Sequence, residues 1–186
     1  PIKIVYGGSV YADRWKTLCY LAEAIKKMNS KGGKFALDIY TANKIPEKAM
    51  KILNNGYDSK VHKPVAFDEL MNIYKHSDIA LHVESFDLKN RLNVRMSFST
   101  KIIDCMDSGC AVMAISPFLF SHLYFEYLKE NDIALCADSR KGILELLSQI
   151  AGQPGILKDY QRKAIMFGRK NHLHENILKS IKTDFC

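Results

Sequence analysis

Six times along this chain a short, largely apolar segment gives way to a stretch whose apolar residues recur at helical spacing. The apolar segments are Lys3–Tyr6, Phe35–Tyr40, Lys60–Lys63, Ile79–Val83, Ala111–Ile115 and Ile133–Cys136. Between them, helices are expected over Asp13–Asn29, Pro46–Asn54, Phe67–His76, Thr100–Ser108, Leu119–Lys129 and Arg140–Ile150. In the first helix, Trp15, Leu18, Leu21, Ala22, Ile25 and Met28 share a face, and Asp13 is placed to cap its start. Strands that are apolar throughout, not alternating, belong to a parallel sheet covered on both faces by helices. The expected fold is therefore α/β and doubly wound, with a parallel sheet of about six strands followed by a long C-terminal helical segment.

The 186 residues suffice for one domain, 1–186, with no internal linker or repeat. No apolar run approaches the ~20 residues of a membrane-spanning helix. The chain starts with Pro and not Met, which suggests a piece of a longer protein. Lys and Arg outnumber Asp and Glu by 27 to 20, a net charge of +7. Segment 156–182 alone carries seven Lys/Arg against Asp159 and Glu175. Such a surface suits nucleotides, sugar phosphates or an anionic membrane. Cys19, Cys105, Cys110 and Cys136 sit in or beside apolar runs and Cys186 ends the chain; without a Cys-x-x-Cys pair they read as reduced thiols. His172 and His174 are two apart and diverge on a helix, so no metal site is expected. The chain has no Gly-x-Ser-x-Gly, which argues against a hydrolase, and no nucleic-acid-binding motif.

In open α/β sheets ligands bind beyond the carboxyl ends of the strands. After the first strand, Gly7-Gly8-Ser9 lets the backbone approach a ligand, and Arg14 and Lys16 offer charge to a pyrophosphate. The bland alternative is a tight turn with two solvated cations. After the fourth strand comes a stretch from Leu88 to Ile103 without an acidic residue, carrying Lys89, Arg91, Arg95 and Lys101. It leads into Phe98-Ser99-Thr100-Lys101-Ile102-Ile103-Asp104 and Met106-Asp107-Ser108-Gly109. Ser99 or Thr100 can cap a helix here. Asp104, one turn in, can accept hydrogens from two sugar hydroxyls or pair with Lys101 on the helix surface.

Together these residues resemble the C-terminal, nucleotide-sugar-binding domain of retaining glycosyltransferases with the GT-B fold, the large group 1 family. Phe98 matches the family's aromatic, Asp104 its second glutamate, Met106 its methionine and Ser108-Gly109 its Ser-Gly, and Val112 opens the next strand. Phe98-Ser99-Thr100-Lys101 is similar to a branch that reads Phe-Pro-Thr-Lys. The family's first glutamate falls on Met96, its second is shortened to Asp104, and Ala111 stands for the Pro before Val.

The resemblance implies a Rossmann-like domain that binds a nucleotide sugar for transfer to a glycan or lipid-linked acceptor, as in polysaccharide or glycolipid synthesis. It implies Gly8, Ser9, Arg14, Lys16, Val65, Phe98, Ser99, Thr100, Lys101 and Asp104 as donor-binding residues. Arg14 and Lys16 would face the diphosphate, Asp104 the ribose and the backbone at Val65-Ala66 the base. Glu84, at the end of the fourth strand, is a possible acidic substitute for the residue lost at Met96. No catalytic residue is assigned, and no metal or other cofactor is expected. A partner N-terminal acceptor domain is implied, and the enzyme would be cytoplasmic, or peripheral on the inner membrane face through the basic helix 156–182. The alternative is a non-catalytic regulatory or interaction module that has lost nucleotide binding.

Overall fold

The computed structural model describes residues 1–87, 101–117 and 123–172. Met96, Phe98, Ser99 and Thr100 therefore lie outside the described residues, as do the expected helix start at Leu119 and the tail beyond His172.

The six strands are β1 (Ile2–Gly7), β2 (Phe35–Tyr40), β3 (Ser59–His62), β4 (Ile79–Val83), β5 (Ala111–Ile115) and β6 (Leu135–Ala137). They form one sheet in the order β3-β2-β1-β4-β5-β6, every pair parallel. The chain starts in the middle, winds outward to β3, returns beside β1 as β4 and winds outward again. The described helices are α1 (Arg14–Asn29), α2 (Glu47–Leu53), α3 (Phe67–Lys75), α4 (Lys101–Asp107), α5 (Leu123–Glu130), α6 (Arg140–Gly152) and α7 (Ile156–His172).

Two apolar layers sandwich the sheet. On one face Ile4, Leu37, Ile39, Leu81, Met113 and Ile115 pack with α1, α2 and α6. On the other, Val5, Ala80, Val112 and Ala114 pack with Tyr74 of α3, Cys105 and Met106 of α4, Tyr124 and Phe125 of α5 and Ala164 of α7. β4 and β5 are buried at every residue, as a doubly covered parallel strand requires. Cys19, Cys105 and Cys110 are buried in these layers as small apolar residues.

Three expectations are corrected. β2 is not covered on both faces: Phe35, Leu37 and Ile39 are buried, while Ala36, Asp38 and Tyr40 are half-exposed and His62 of β3 bonds Asp38 at 2.6 Å. The helices of that face reach β2 incompletely, and a polar pair fills the gap. Asp13 makes no capping hydrogen bond. Ala12 and Asp13 both sit in the left-handed region (φ 54° and 59°), whereas a capping side chain needs extended backbone. Strand β6 begins two residues later than expected because Ile133 donates its N–H to Leu128, closing α5. Ile133 and Ala134 are thus spent on the turn, and pairing with β5 starts at Leu135.

Helix α7 lies against α4 and β5. Gly168 sits at the crossing, where a Cβ would lie 3.3 Å from Met106 Cβ. Its polar side is tied down: Tyr160 donates to Asp132 at 2.8 Å, and Lys163 also bonds Asp132. Among the described residues no helix is long and apolar enough to cross a membrane.

Leu81 is fully buried at the centre of the sheet. Leu81→Ala is expected to lower unfolding stability by about 2–5 kcal/mol, measured by denaturant titration, since a rigid two-layer core cannot close over the void.

Candidate functional site

Strand order alone opens a crevice where winding reverses, between the carboxyl ends of β1 and β4. Beside it, β1, β2 and β3 end in loops that face α3 and α4 across a cleft of about 470 Å³. Gly8, Asn43, Val65, Phe67, Lys101 and Asp104 are among its walls. A wider depression of about 610 Å³ lies at the opposite, amino edge of the sheet, around Ile2, Gly33 and Phe35. No ligand site is expected at that edge, where the loops following the strands do not converge.

The floor of the cleft requires glycine. Gly7 lies against Leu70, whose Cδ2 would stand 2.5 Å from an added Cβ. Gly8 has φ 149°, and an added Cβ would come to 1.7 Å from Lys101 Nζ. Lys101, the first residue of α4, thus reaches back over the β1 turn, and its ammonium stands 5.6 Å from the centre of the Tyr6 ring. Tyr6 in turn donates its hydroxyl to Ser9 O at 2.5 Å, holding the turn in place.

Burial is the main influence pushing the Lys101 pKa below the ordinary lysine value, and the nearby Arg14 charge acts the same way. Among the described residues no carboxylate lies within ion-pair distance of it. Asp104, one turn along α4, is half-buried on the same cleft, and burial raises its pKa against the pull of Lys101. A half-buried cation without a carboxylate at ion-pair distance, in a cleft floored by glycine, has the chemistry to accept an anion.

Arg14 stands next to this group. Its Nε and Nη2 donate to Glu84 Oε2 and Oε1 at 2.9 and 3.0 Å. Burial works against the Arg14 charge, but the hydrogen bonds to Glu84 and the attraction of its charge, with smaller pulls from Tyr6 and Tyr124, together outweigh it and hold the pKa above the ordinary value. Glu84 is only 3% exposed. Burial alone would raise its pKa; hydrogen bonds from His82 and Arg14 override this and hold it down to about 2. His82 Nε2 lies 3.3 Å from Glu84 Oε1. Burial lowers the His82 pKa, so the ring is neutral and Nε2 carries the proton it donates. Both Glu84 oxygens are therefore engaged inside the protein, and the structure gives this residue an occupation other than gripping a sugar hydroxyl.

The sequence-derived residues thus separate. Gly8, Ser9, Val65, Lys101 and Asp104 border one cleft, with Arg14 beside it. Lys16 does not line that cleft. Its ammonium lies 3.2 Å from Asp13 and 3.5 Å from Asp87, beside Tyr20 and Phe86. Arg14 and Lys16 are two apart on α1 and diverge, so they do not act as a pair on one ligand.

Wall residues that escaped the sequence reading include Tyr40, Asn43 and Phe67. Asn43 Oδ1 accepts from Val10 N at 2.9 Å, which turns its amide NH₂ away from that bond and leaves it available as a donor. The rule about strand carboxyl ends applies equally to the loop after β2, and applying it there would have found Asn43. Phe67, 59% exposed, carries no signal beyond an apolar residue at a helix start.

The profile of the family described as glycosyl transferase-like matches residues 21–183. The chain belongs to that family. The fold agrees. It superposes on WaaG, a glycosyltransferase involved in lipopolysaccharide biosynthesis, with a TM-score of 0.69 at 15% identity, over 96% of this chain and 45% of that one. It superposes on TarM with a TM-score of 0.70 at 15% identity, over 98% and 34%. A trehalose-6-phosphate structure from E. coli bound with UDP-2-fluoro glucose gives 0.65 at 12%, over 98% and 44%. These are GT-B glycosyltransferases, and the chain has the fold of one Rossmann-like domain among them. It spans between a third and a half of their lengths. No curated protein sequence matches the chain.

The buried imidazole makes stability depend on pH. The folded-state His82 pKa lies below the ordinary 6.5, so on acidification the unfolded chain takes up a proton that the folded one refuses. Stability is therefore full above about pH 6.5 and falls below it. Glu84, depressed from 4.5 to about 2, adds a further loss below about pH 4.5. Unfolding free energies of wild type and His82→Gln, measured from pH 7.5 to 5, are expected to diverge in slope, the variant being flatter.

Proposed function

We propose that this domain binds the nucleotide-sugar donor of a glycosyltransferase, in the cleft at the carboxyl ends of β1, β2 and β3. The observation that carries the reading is Lys101 laid over Gly8 with Asp104 one turn away. The base would lie against Val65 and Phe67, the ribose hydroxyls would donate to Asp104, and the diphosphate would rest over Gly8 against Lys101 and the free edge of Arg14. Ser9 and the amide of Asn43 supply further polar contacts on the same wall. Family membership and the UDP-sugar bound in a structural neighbour support the reading.

In transfer, an acceptor hydroxyl attacks the anomeric carbon and gives its proton to the departing diphosphate oxygen. The bond from that carbon to the phosphate oxygen breaks, and the electron pair leaves with the diphosphate. Charge grows on the diphosphate as this happens, so preformed cations aimed at it lower the barrier. Lys101 is suited to that part because it sits in place before any ligand arrives. The acceptor, a glycan or a lipid-linked sugar, would be held by a second domain, and the basic face of α7 would let the enzyme work at an anionic membrane surface. Retention of configuration belongs to this proposal through the family resemblance alone.

A second reading, a module that has lost nucleotide binding, is favoured by one observation: Met96 where the family has glutamate. Calorimetric titration of the chain with UDP, GDP, CDP and ADP separates the two. One of the four is expected to bind saturably, and Lys101→Ala to weaken it about tenfold to a hundredfold, the value of a charge-assisted hydrogen bond or two. Asp104→Ala is expected to weaken it less, by about tenfold. A folded chain that binds none of the four would establish the second reading instead.

A further inference from the structure

Glu84 is held at every polar atom it has. Its N–H donates to Ile115 O at 2.9 Å, and its carbonyl accepts from Thr17 Oγ1 at 2.6 Å. Its side-chain oxygens accept from Arg14 and, at 3.3 Å, from His82. The His82 ring is itself fixed by the edge of Tyr124, with ring centres 4.7 Å apart. Strand β4, strand β5 and helix α1 all converge on this one residue, β5 through its backbone N–H and α1 and β4 through its carboxylate.

The consequence falls on Arg14. A guanidinium gripped through Nε and one Nη2 hydrogen has its plane fixed by the carboxylate. Both Nη1 hydrogens and the second Nη2 hydrogen have no protein partner among the described residues. The Glu84 side chain is 4% exposed and that of Arg14 23%, so what exposure the pair has belongs to the arginine. A long, free arginine would lose rotamer entropy on gripping a ligand. An arginine buried without a partner would be costly. The carboxylate removes both penalties.

We propose that Glu84, braced by His82, is a positioning residue that holds Arg14 by one edge so that its other edge meets the phosphate oxygens of the nucleotide. This rests on the donor-binding reading above. Glu84 touches no ligand itself; its effect passes through Arg14, and therefore bears on the phosphates and not on the base or ribose.

That division supplies the test. The chain is titrated calorimetrically with whichever of UDP, GDP, CDP or ADP it binds and with the matching phosphate-free nucleoside. Glu84→Gln is expected to weaken the diphosphate about tenfold or more and to leave the nucleoside within about twofold. Arg14→Ala should do the same, and the double variant should add little to either single loss, because the two residues act as one unit. Equal weakening of nucleoside and diphosphate, no weakening at all, or additive losses would each overturn the proposal.

If Glu84→Gln does not fold, the unsubstituted chain still decides by side-chain NMR. The Arg14 Nε hydrogen should stay protected from exchange when nucleotide is added, while its Nη hydrogens become protected. Loss of Nε protection would mean that Glu84 lets go on binding, and would refute the positioning role. A wild-type chain that binds no nucleotide would remove the donor-binding reading and this proposal with it, whereas binding without the phosphate-selective loss would remove this proposal alone.

Discussion

The pairing of β1 with β4 governs the molecule. Ile4 lies opposite Ile79 and Val5 opposite Ala80, and through that contact the two halves of the sheet become one. Because β1 also pairs with β2, it is buried on both edges, and its carboxyl end meets the point where winding reverses. The Gly7-Gly8 turn, the end of β4 with Glu84, and the first turn of α4 with Lys101 are gathered around that point.

The electrostatics around the reversal point are uneven by construction. Arg14, Glu84 and neutral His82 together carry no net charge, and both Glu84 carboxylate oxygens are taken up within the group. Lys101, beside them, is left with its charge unmatched within the described residues. Coulomb energy between close groups is many times larger in a buried site than in water, so this cation, unmatched among the described residues, weighs heavily on the potential in the cleft. The matched arginine contributes direction more than charge. Glycine at position 8 is the steric condition for this arrangement, since any side chain there would occupy the space of the Lys101 ammonium.

The comparison structures narrow the meaning of this geometry without identifying its ligand. At 12–15% identity they establish a common fold, and the family profile over residues 21–183 establishes kinship. The fold accounts for the location of the cleft, because parallel α/β sheets direct their strand ends toward ligands whatever the chemistry. Asn43, Tyr40 and Phe67 on one wall and Lys101 and Asp104 on the other are what a given nucleotide would sense.

Much was legible in the sequence. Apolar runs without alternation specify strands covered on both faces, because each side chain must find an apolar neighbour whichever way it points. Helical periodicity placed α1 with Leu18, Leu21, Ala22 and Ile25 inward, and the limits of β4 and β5 could be read directly. These are local properties: each depends on residues within a turn or a strand of one another. The candidate site was legible as loops and as a motif, which brought Gly8, Ser9, Arg14, Val65, Lys101 and Asp104 into view. What the tertiary structure alone decided was who meets whom. It gave Arg14 to Glu84 across seventy positions, turned Lys16 toward Asp13 and Asp87, and sent Lys101 back over Gly8. A carboxylate at the end of a strand looks the same in sequence whether it grips a sugar or an arginine. The difference lies in burial and in the neighbours that strand order supplies, and neither is carried by any local stretch of chain.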